Sequence, residues 1–372
     1  MSRLSKARIY VVELPYKEPF RIAGHTSTYT KNVVLELVDE DGVKGIGESS
    51  PSYRVMGDSV EKVITTIEEF LSHYKENKFD VSYLELVHEV LNDRVYPKSA
   101  GASCAIESAI LDLHAKSLSL PLYRALGAYR DYVESDITIG IEAPEVAARR
   151  ALAFAEMGFK VLKIKVGEDP ADDIERVRAV REALGGDVTI RVDANQGWSV
   201  KTAIKTIREL EKLDVELVEQ PIDASNIEGL KEIKKNVSVP IAVDESVKSY
   251  RDAAIIAKEG AADILNIKLA KCGGVLNARV IARVAEANGL SCMIGCGGES
   301  GIGISAALHF ALSAKNVKYV DLDSDLLLAK RIEEPETPLT EGGRRLPSNL
   351  PGLGIKELKM ELLGAPVAVY EL

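Results

Sequence analysis

Apolar and polar positions follow two periods along the chain. Near the start the runs 7–14 (ARIYVVEL) and 32–38 (NVVLELV) are rich in Val, Ile and Tyr, which predicts strands. Asp39-Glu40-Asp41-Gly42 is a turn signal between Val38 and Val43, and the 45–48 run (GIGE) follows. Together they predict a small antiparallel sheet. The period then becomes helical over 59–71, 83–91 and 101–118. The last of these is Ala-rich, and Pro121 breaks it.

From about residue 135 short Val/Ile-rich runs alternate with amphipathic stretches. The runs are 135–141, 160–167, 189–197, 215–221, 240–246, 264–273, 290–297 and 319–325. Stretches such as PEVAARRALAFAEMG, TAIKTIRELEKL and NARVIARVAEANG lie between them, and several close with glycine (Gly158, Gly260, Gly289), as helix C-termini do. Strand and helix in alternation mean βαβ units and a parallel sheet. Eight runs at about 25-residue spacing fit a closed barrel better than an open doubly wound sheet. No G-x-G-x-x-G follows the first run, which disfavours a dinucleotide site. The segment after Asp325 is rich in Pro and Gly and reads as loop returning over the first domain. The expected organisation is an α+β domain (1–128), an α/β barrel (129–325) and a returning C-terminal segment (326–372).

Composition narrows the function. With 372 residues, 46% of them apolar, the chain can bury a sizeable core. A net charge of −10 disfavours nucleic-acid and anionic-membrane partners. Cys104, Cys272, Cys292 and Cys296 lack a second pair at zinc spacing and read as small buried thiols. The N-terminal sequence lacks the apolar run of a signal peptide, and no stretch approaches the ~18 apolar residues of a membrane span. A cytoplasmic protein is expected.

Catalytic groups of parallel barrels sit at the C-terminal ends of strands. There the chain places Lys163 and Lys165, then Asp193 and Asn195, Glu219, Asp244 and Glu245, Lys268, and finally Asp321 and Asp323. That is close to one ionisable group per βα unit at one height. Asp193, Glu219 and Asp244 on consecutive strands suit a hard cation such as Mg²⁺, with Mn²⁺ as a substitute. The competing reading is ion pairing at the barrel mouth. Lys163 and Lys165, two apart, share one strand face. Lys165 and Lys268 flank the acids and can act as bases on opposite faces of one carbon. A lysine must lose its proton to do so, and a neighbouring cation helps. Lys163 and the metal are so placed for Lys165. Asp321 and Asp323, read as sharing a strand face, suit a cationic substrate group such as an α-ammonium. A second metal site and a solvated strand end are the alternatives.

KIKVG, RVDANQGW, VEQP, VDES and NIKLAKCGG, with GIGESSP (45–51) and AIESAILDLHAKSLSLPLYRALG (105–127), resemble the enolase superfamily, muconate-lactonizing subgroup. The likeness runs over essentially the whole chain. It implies a (β/α)₇β TIM-like barrel under an α+β cap. It also implies abstraction of the proton α to a carboxylate, giving an enediolate held on one Mg²⁺. By position, Asp193, Glu219 and Asp244 would be the metal ligands and Lys165 and Lys268 the acid/base pair. Lys163 would lie where charge develops, with Asn195 and Glu245 as supports behind the ligands.

Within the subgroup, the DLD pair (Asp321, Asp323), the 19–30 and 54–59 segments and Thr138 resemble dipeptide epimerases. In those enzymes the aspartate pair grips the substrate ammonium. Where Ala-Glu epimerases carry an arginine for the glutamate side chain, alignment puts His25, which points to a different second residue. Cys296, Gly298 and Glu299 would line the same pocket. The expected activity is Mg²⁺-dependent epimerisation of a dipeptide at the α-carbon of its C-terminal residue, by an isomerase that forms a homo-oligomer. Rivals on the same scaffold are muconate cycloisomerisation, o-succinylbenzoate synthesis and N-acylamino-acid racemisation. A Schiff-base aldolase and a non-catalytic binding protein are more distant.

Overall fold

The computed structural model describes residues 2–372, and in the 54–59 segment the side chains of Arg54 and Val55 lie outside the described residues. Leu4–Ile22, His25–Asp39 and Lys44–Ser49 form an antiparallel sheet, with the last strand, Ala368–Glu371, on the free edge of the first. Helices Val60–Asn77, Leu84–Arg94 and Ala100–Ser117 contribute to the apolar layer against this sheet. Glycines at 45 and 47 let the third strand approach helix Ala100–Ser117. A Cβ at Gly47 would lie 1.9 Å from the Ala105 carbonyl oxygen.

The barrel strands, numbered 1 to 8 here, are Ile137–Ile139, Val161–Lys165, Thr189–Asp193, Val215–Glu219, Ile241–Val243, Ile264–Ile267, Ser291–Ile294 and Val317–Val320. Each pairs with the next in one curled parallel sheet. Seven crossover helices, from Pro144–Glu156 to Gly301–Ser313, alternate with them, and buried aliphatic residues fill the layer between. Strands 1 and 8 meet where the Asp136 N–H donates to the Val320 carbonyl at 3.1 Å. The tip of the first hairpin reaches the barrel mouth, where the Ile141 N–H donates to the Arg21 carbonyl at 2.8 Å.

Two expectations change. The eighth run, 319–325, is displaced: the strand ends at Val320, so Asp321 and Asp323 lie beyond it rather than on a strand face. The Leu322 N–H turns to Ser135 Oγ at 2.8 Å, and a helical turn, Ser324–Leu327, begins at once. The returning segment is not plain loop. Gly342 and Gly343, both at positive φ, turn a hairpin of Leu339–Glu341 and Arg344–Leu346, whose second strand pairs with Val133–Glu134. Among the described residues no helix is long and apolar enough to cross a membrane.

Candidate active site

Strand register sets the height of the site. Lys165 lies opposite Asp193, and Asp193 opposite Glu219, on strands 2 to 4. Asp244 follows strand 5, and Lys268 follows strand 6 rather than lying within it. All three acids are buried. Lys163 Nζ stands 2.7 Å from Glu219, 2.7 Å from Asp321 and 3.3 Å from Asp193. Lys165 Nζ lies 2.6 Å from Asp193, and Lys268 Nζ 2.7 Å from Asp244. The three lysines therefore face the three acids from both sides.

The electrostatics follow from this packing. Burial would raise Asp193, yet Lys165 and Lys163 hold it below the usual carboxylate range. Burial would raise Asp244 too, but Lys268 and Lys271 hold it far below that range. Glu219 is pushed up by burial and by Asp193. Lys268 would be lowered by burial, but Asp244 and Glu219 keep it protonated. The donor set fits a metal cation. Three buried carboxylates supply oxygen alone, as a hard divalent ion requires. Beside them Asn195 Oδ1 and Glu245 Oε2 are buried with no hydrogen-bond partner. Burial and Asp244 push Glu245 up to about 7.

On the other side of Lys163, Asp321 and its neighbour Asp323 are nearly sealed from solvent, which removes the solvated-end reading. Asp323 Oδ2 accepts the Thr138 N–H at 2.7 Å, and the Cys296 thiol donates to its Oδ1 at 3.4 Å. Cys296, Asp321 and Asp323 place ligand atoms within 4.8 Å of one another. Burial and the two aspartates hold the Cys296 thiol well up, so it stays protonated, which suits a donor to Asp323 better than a metal ligand. Burial and Asp321 also push Asp323 up to about 6. A cationic ligand would relieve this crowding of negative charge. The other thiols, Cys104, Cys272 and Cys292, are buried and do not line the cavity.

Lys165, Lys268, Lys271, Asp321 and Asp323 line one cavity of about 620 Å³ between barrel and cap, while Lys163, Asp193, Glu219 and Asp244 are buried next to these groups and do not line it. Thr138, Cys296, Gly298 and Glu299 line it with the aspartates, as do Asn195 and Glu245. The Gly298 carbonyl accepts from Asn32 of the cap at 2.8 Å. His25 reaches the cavity but is exposed, with Nε2 2.9 Å from Ser27 Oγ.

A family model described as the mandelate racemase / muconate lactonizing enzyme N-terminal domain matches residues 6–127. One described as enolase C-terminal domain-like matches residues 146–360. The chain belongs to this enolase-superfamily group. It is 39% identical over 324 residues to a hydrophobic dipeptide epimerase of Enterococcus faecalis, covering 87% of this chain and 90% of that one. It is 37% identical over 321 residues to an L-Ala-D/L-Glu epimerase of Clostridium acetobutylicum, covering 86% and 89%. A crystal structure of the Enterococcus faecalis dipeptide epimerase with Mg and L-Leu-L-Tyr superimposes with a TM-score of 0.89 at 36% identity, covering 95% of this chain and all of that one.

Three residues at the site escaped the sequence reading. Lys271 Nζ pairs with Asp244 Oδ1 at 2.6 Å, Asn266 Nδ2 donates to Glu219 Oε1 at 2.7 Å, and Gln220 Oε1 accepts the Asp244 N–H at 2.9 Å. Lys271 and Asn266 hold the carboxylates themselves, and Gln220 holds the backbone of Asp244. Asn266 had a signal, lying two before Lys268 on a barrel strand. Lys271 and Gln220 had none beyond falling inside the barrel motifs.

Proposed function

We propose that this protein is a divalent-metal-dependent dipeptide epimerase acting at the α-carbon of the C-terminal residue. One observation carries the reading. The metal-type acids Asp193, Glu219 and Asp244 stand between Lys165 and Lys268, and the buried pair Asp321 and Asp323 lines the same cavity as those two lysines, with Lys163 joining Asp321 to Glu219. A zwitterionic dipeptide has charges to match both ends. The family and the epimerase relatives support it.

In this reading Asp193, Glu219 and Asp244 would hold Mg²⁺, which when bound would supply positive charge for the substrate carboxylate. Asp321 and Asp323 hold the ammonium. The α-carbon then lies between Lys165 and Lys268, one removing a proton and the other returning one to the opposite face. Lys163 supplies positive charge beside the carboxylate end. Asn195 and Glu245 support the metal-binding acids, and Thr138 and Cys296 orient Asp323.

The deprotonated carbon is planar, with its carboxylate and amide nitrogen both engaged. Its side chain takes the third direction, out of the barrel towards the cap. There Phe20, Ile22, Tyr29, Tyr53 and Met56 line the cavity. The cap's ionisable lining groups are the exposed His25 and Lys31, and Asp58, which Ser99 and Lys62 engage. A bulky uncharged second residue fits this wall better than glutamate does. The test is a dipeptide library in D₂O with Mg²⁺, read by mass spectrometry for a one-unit gain and by chiral separation. Aromatic and large aliphatic second residues should lead. Exchange confined to N-acylated amino acids would instead favour the racemase rival, because those substrates leave Asp321 and Asp323 without a partner.

A further inference from the structure

Two buried carboxylate oxygens at the barrel seam lack a donor: Asp136 Oδ1 and Asp321 Oδ1. Asp136 precedes strand 1 and is fully buried, and Asp321 follows strand 8. Their other oxygens are taken. Asp136 Oδ2 accepts from Arg191 Nη1 at 2.8 Å, and Asp321 Oδ2 accepts from Lys163 Nζ at 2.7 Å. Arg191 is itself tied down. Its Nε meets Glu216 at 2.6 Å, its Nη1 meets the Val320 carbonyl at 3.0 Å, and its guanidinium lies 5.3 Å from the Tyr319 ring centroid.

Two buried carboxylates side by side cannot both stay ionised cheaply. One proton between their free oxygens satisfies both orphans. We propose that Asp136 is a positioning residue, a neutral carboxylic acid that donates to Asp321 Oδ1 and fixes Asp321 as one jaw of the ammonium clamp. Glu216, Arg191, Asp136, Asp321 and Lys163 then form one polar chain from the barrel floor to the metal-type acids. The charge states agree. Burial and Asp321 push Asp136 well above the carboxylate range, against Arg191 and Lys163. Burial would also raise Asp321, but Lys163 and the hydrogen bond from Asp136 hold it at about 2. Asp136 acts through Asp321 and touches no substrate.

The proposal rests on the dipeptide reading, so the experiment has one arm free of substrate. Asp136→Asn keeps a donor for Asp321 and an acceptor for Arg191, whereas Asp136→Ala leaves both without a partner. In the full-length protein with Mg²⁺, Asp136→Ala should raise KM for a turned-over dipeptide by about ten-fold or more with little change in kcat. Asp136→Asn should stay within about three-fold of the parent. The substrate-free arm is infrared spectroscopy above the range in which Glu48, Glu107 and Glu245 titrate. The parent should show a protonated carboxyl C=O band that Asp136→Asn lacks. A folded Asp136→Ala with unchanged KM overturns the proposal. So does an Asp136→Asn with KM raised ten-fold, or identical infrared spectra, whether or not the alanine variant folds. A parent that turns over no dipeptide removes the functional reading and leaves the infrared result to decide the Asp136–Asp321 contact.

Discussion

Lys165 and Lys268 show what a single residue contributes and how its role depends on position. Each is a lysine pressed against one acid, Asp193 in the first case and Asp244 in the second. They differ in which side of the acid row they occupy, and that difference would make one base serve each face of a carbon. Lys165→Ala and Lys268→Ala should each lower epimerisation by at least about 10²–10⁴-fold, the range for a positioned acid or base. Exchange of the α-proton with D₂O should survive for the diastereomer whose proton faces the remaining lysine. Full epimerisation by either variant would sink the two-base scheme. The ionisable residues of this row were legible in the sequence because they recur at strand ends. Lys271 was not, since its partner Asp244 lies 27 residues earlier and only the pairing of strands 5 and 6 brings them to 2.6 Å. Asp136 was hidden for the same reason, being joined to Asp321 across 185 residues of chain.

Whole elements were legible where one period ran long enough. The eight runs fall on or beside the eight barrel strands, and the error at strand 8 is one of boundary. YVDLDSD keeps the alternation of a strand, but its backbone after Val320 finds the Ser135 hydroxyl and then a helical turn. Contacts between elements are decided by packing. Glu107, on cap helix Ala100–Ser117, accepts the Leu276 N–H at 3.0 Å at the start of barrel helix Val275–Ala287. Gly274 makes room, since a Cβ there would lie 2.3 Å from Glu107 Oε1. Burial pushes Glu107 from 4.5 up to about 8, against the backbone donors. The folded state therefore favours its protonated form. The resulting stability is fully present below pH 4.5 and is lost as pH rises through about 8. Glu107→Gln keeps the acceptor and cannot ionise, so its melting temperature should fall less over that interval than the parent's. Superimposable pH profiles of the melting temperature would show that Glu107 does not titrate in this way.

At the scale of the molecule, the net charge of −10 includes three buried acids, Asp193, Glu219 and Asp244, whose charge a divalent cation would largely offset. Binding to the folded state alone should stabilise it by about 2.7 kcal/mol at 100 times Kd. Chelator-treated protein should therefore melt lower and show no proton exchange, with Mg²⁺ restoring both. A melting temperature indifferent to Mg²⁺ at concentrations that support turnover would argue against these acids as its site. The cap depends on the whole chain, because the strand Ala368–Glu371 pairs with the first strand, with Ala368 opposite Ile9. The sequence by itself determined the alternation of strand and helix, and with it the row of acids and lysines at one end of a barrel. Those features repeat locally, and strand geometry turns a repeat in sequence into a ring in space. Only the tertiary structure decided which acid each lysine meets, which carboxyls burial raises, and that the cap presents aromatic and aliphatic side chains to the cavity. Those outcomes depend on distances between residues far apart in the chain, and on the loss of water around charges that no local pattern records.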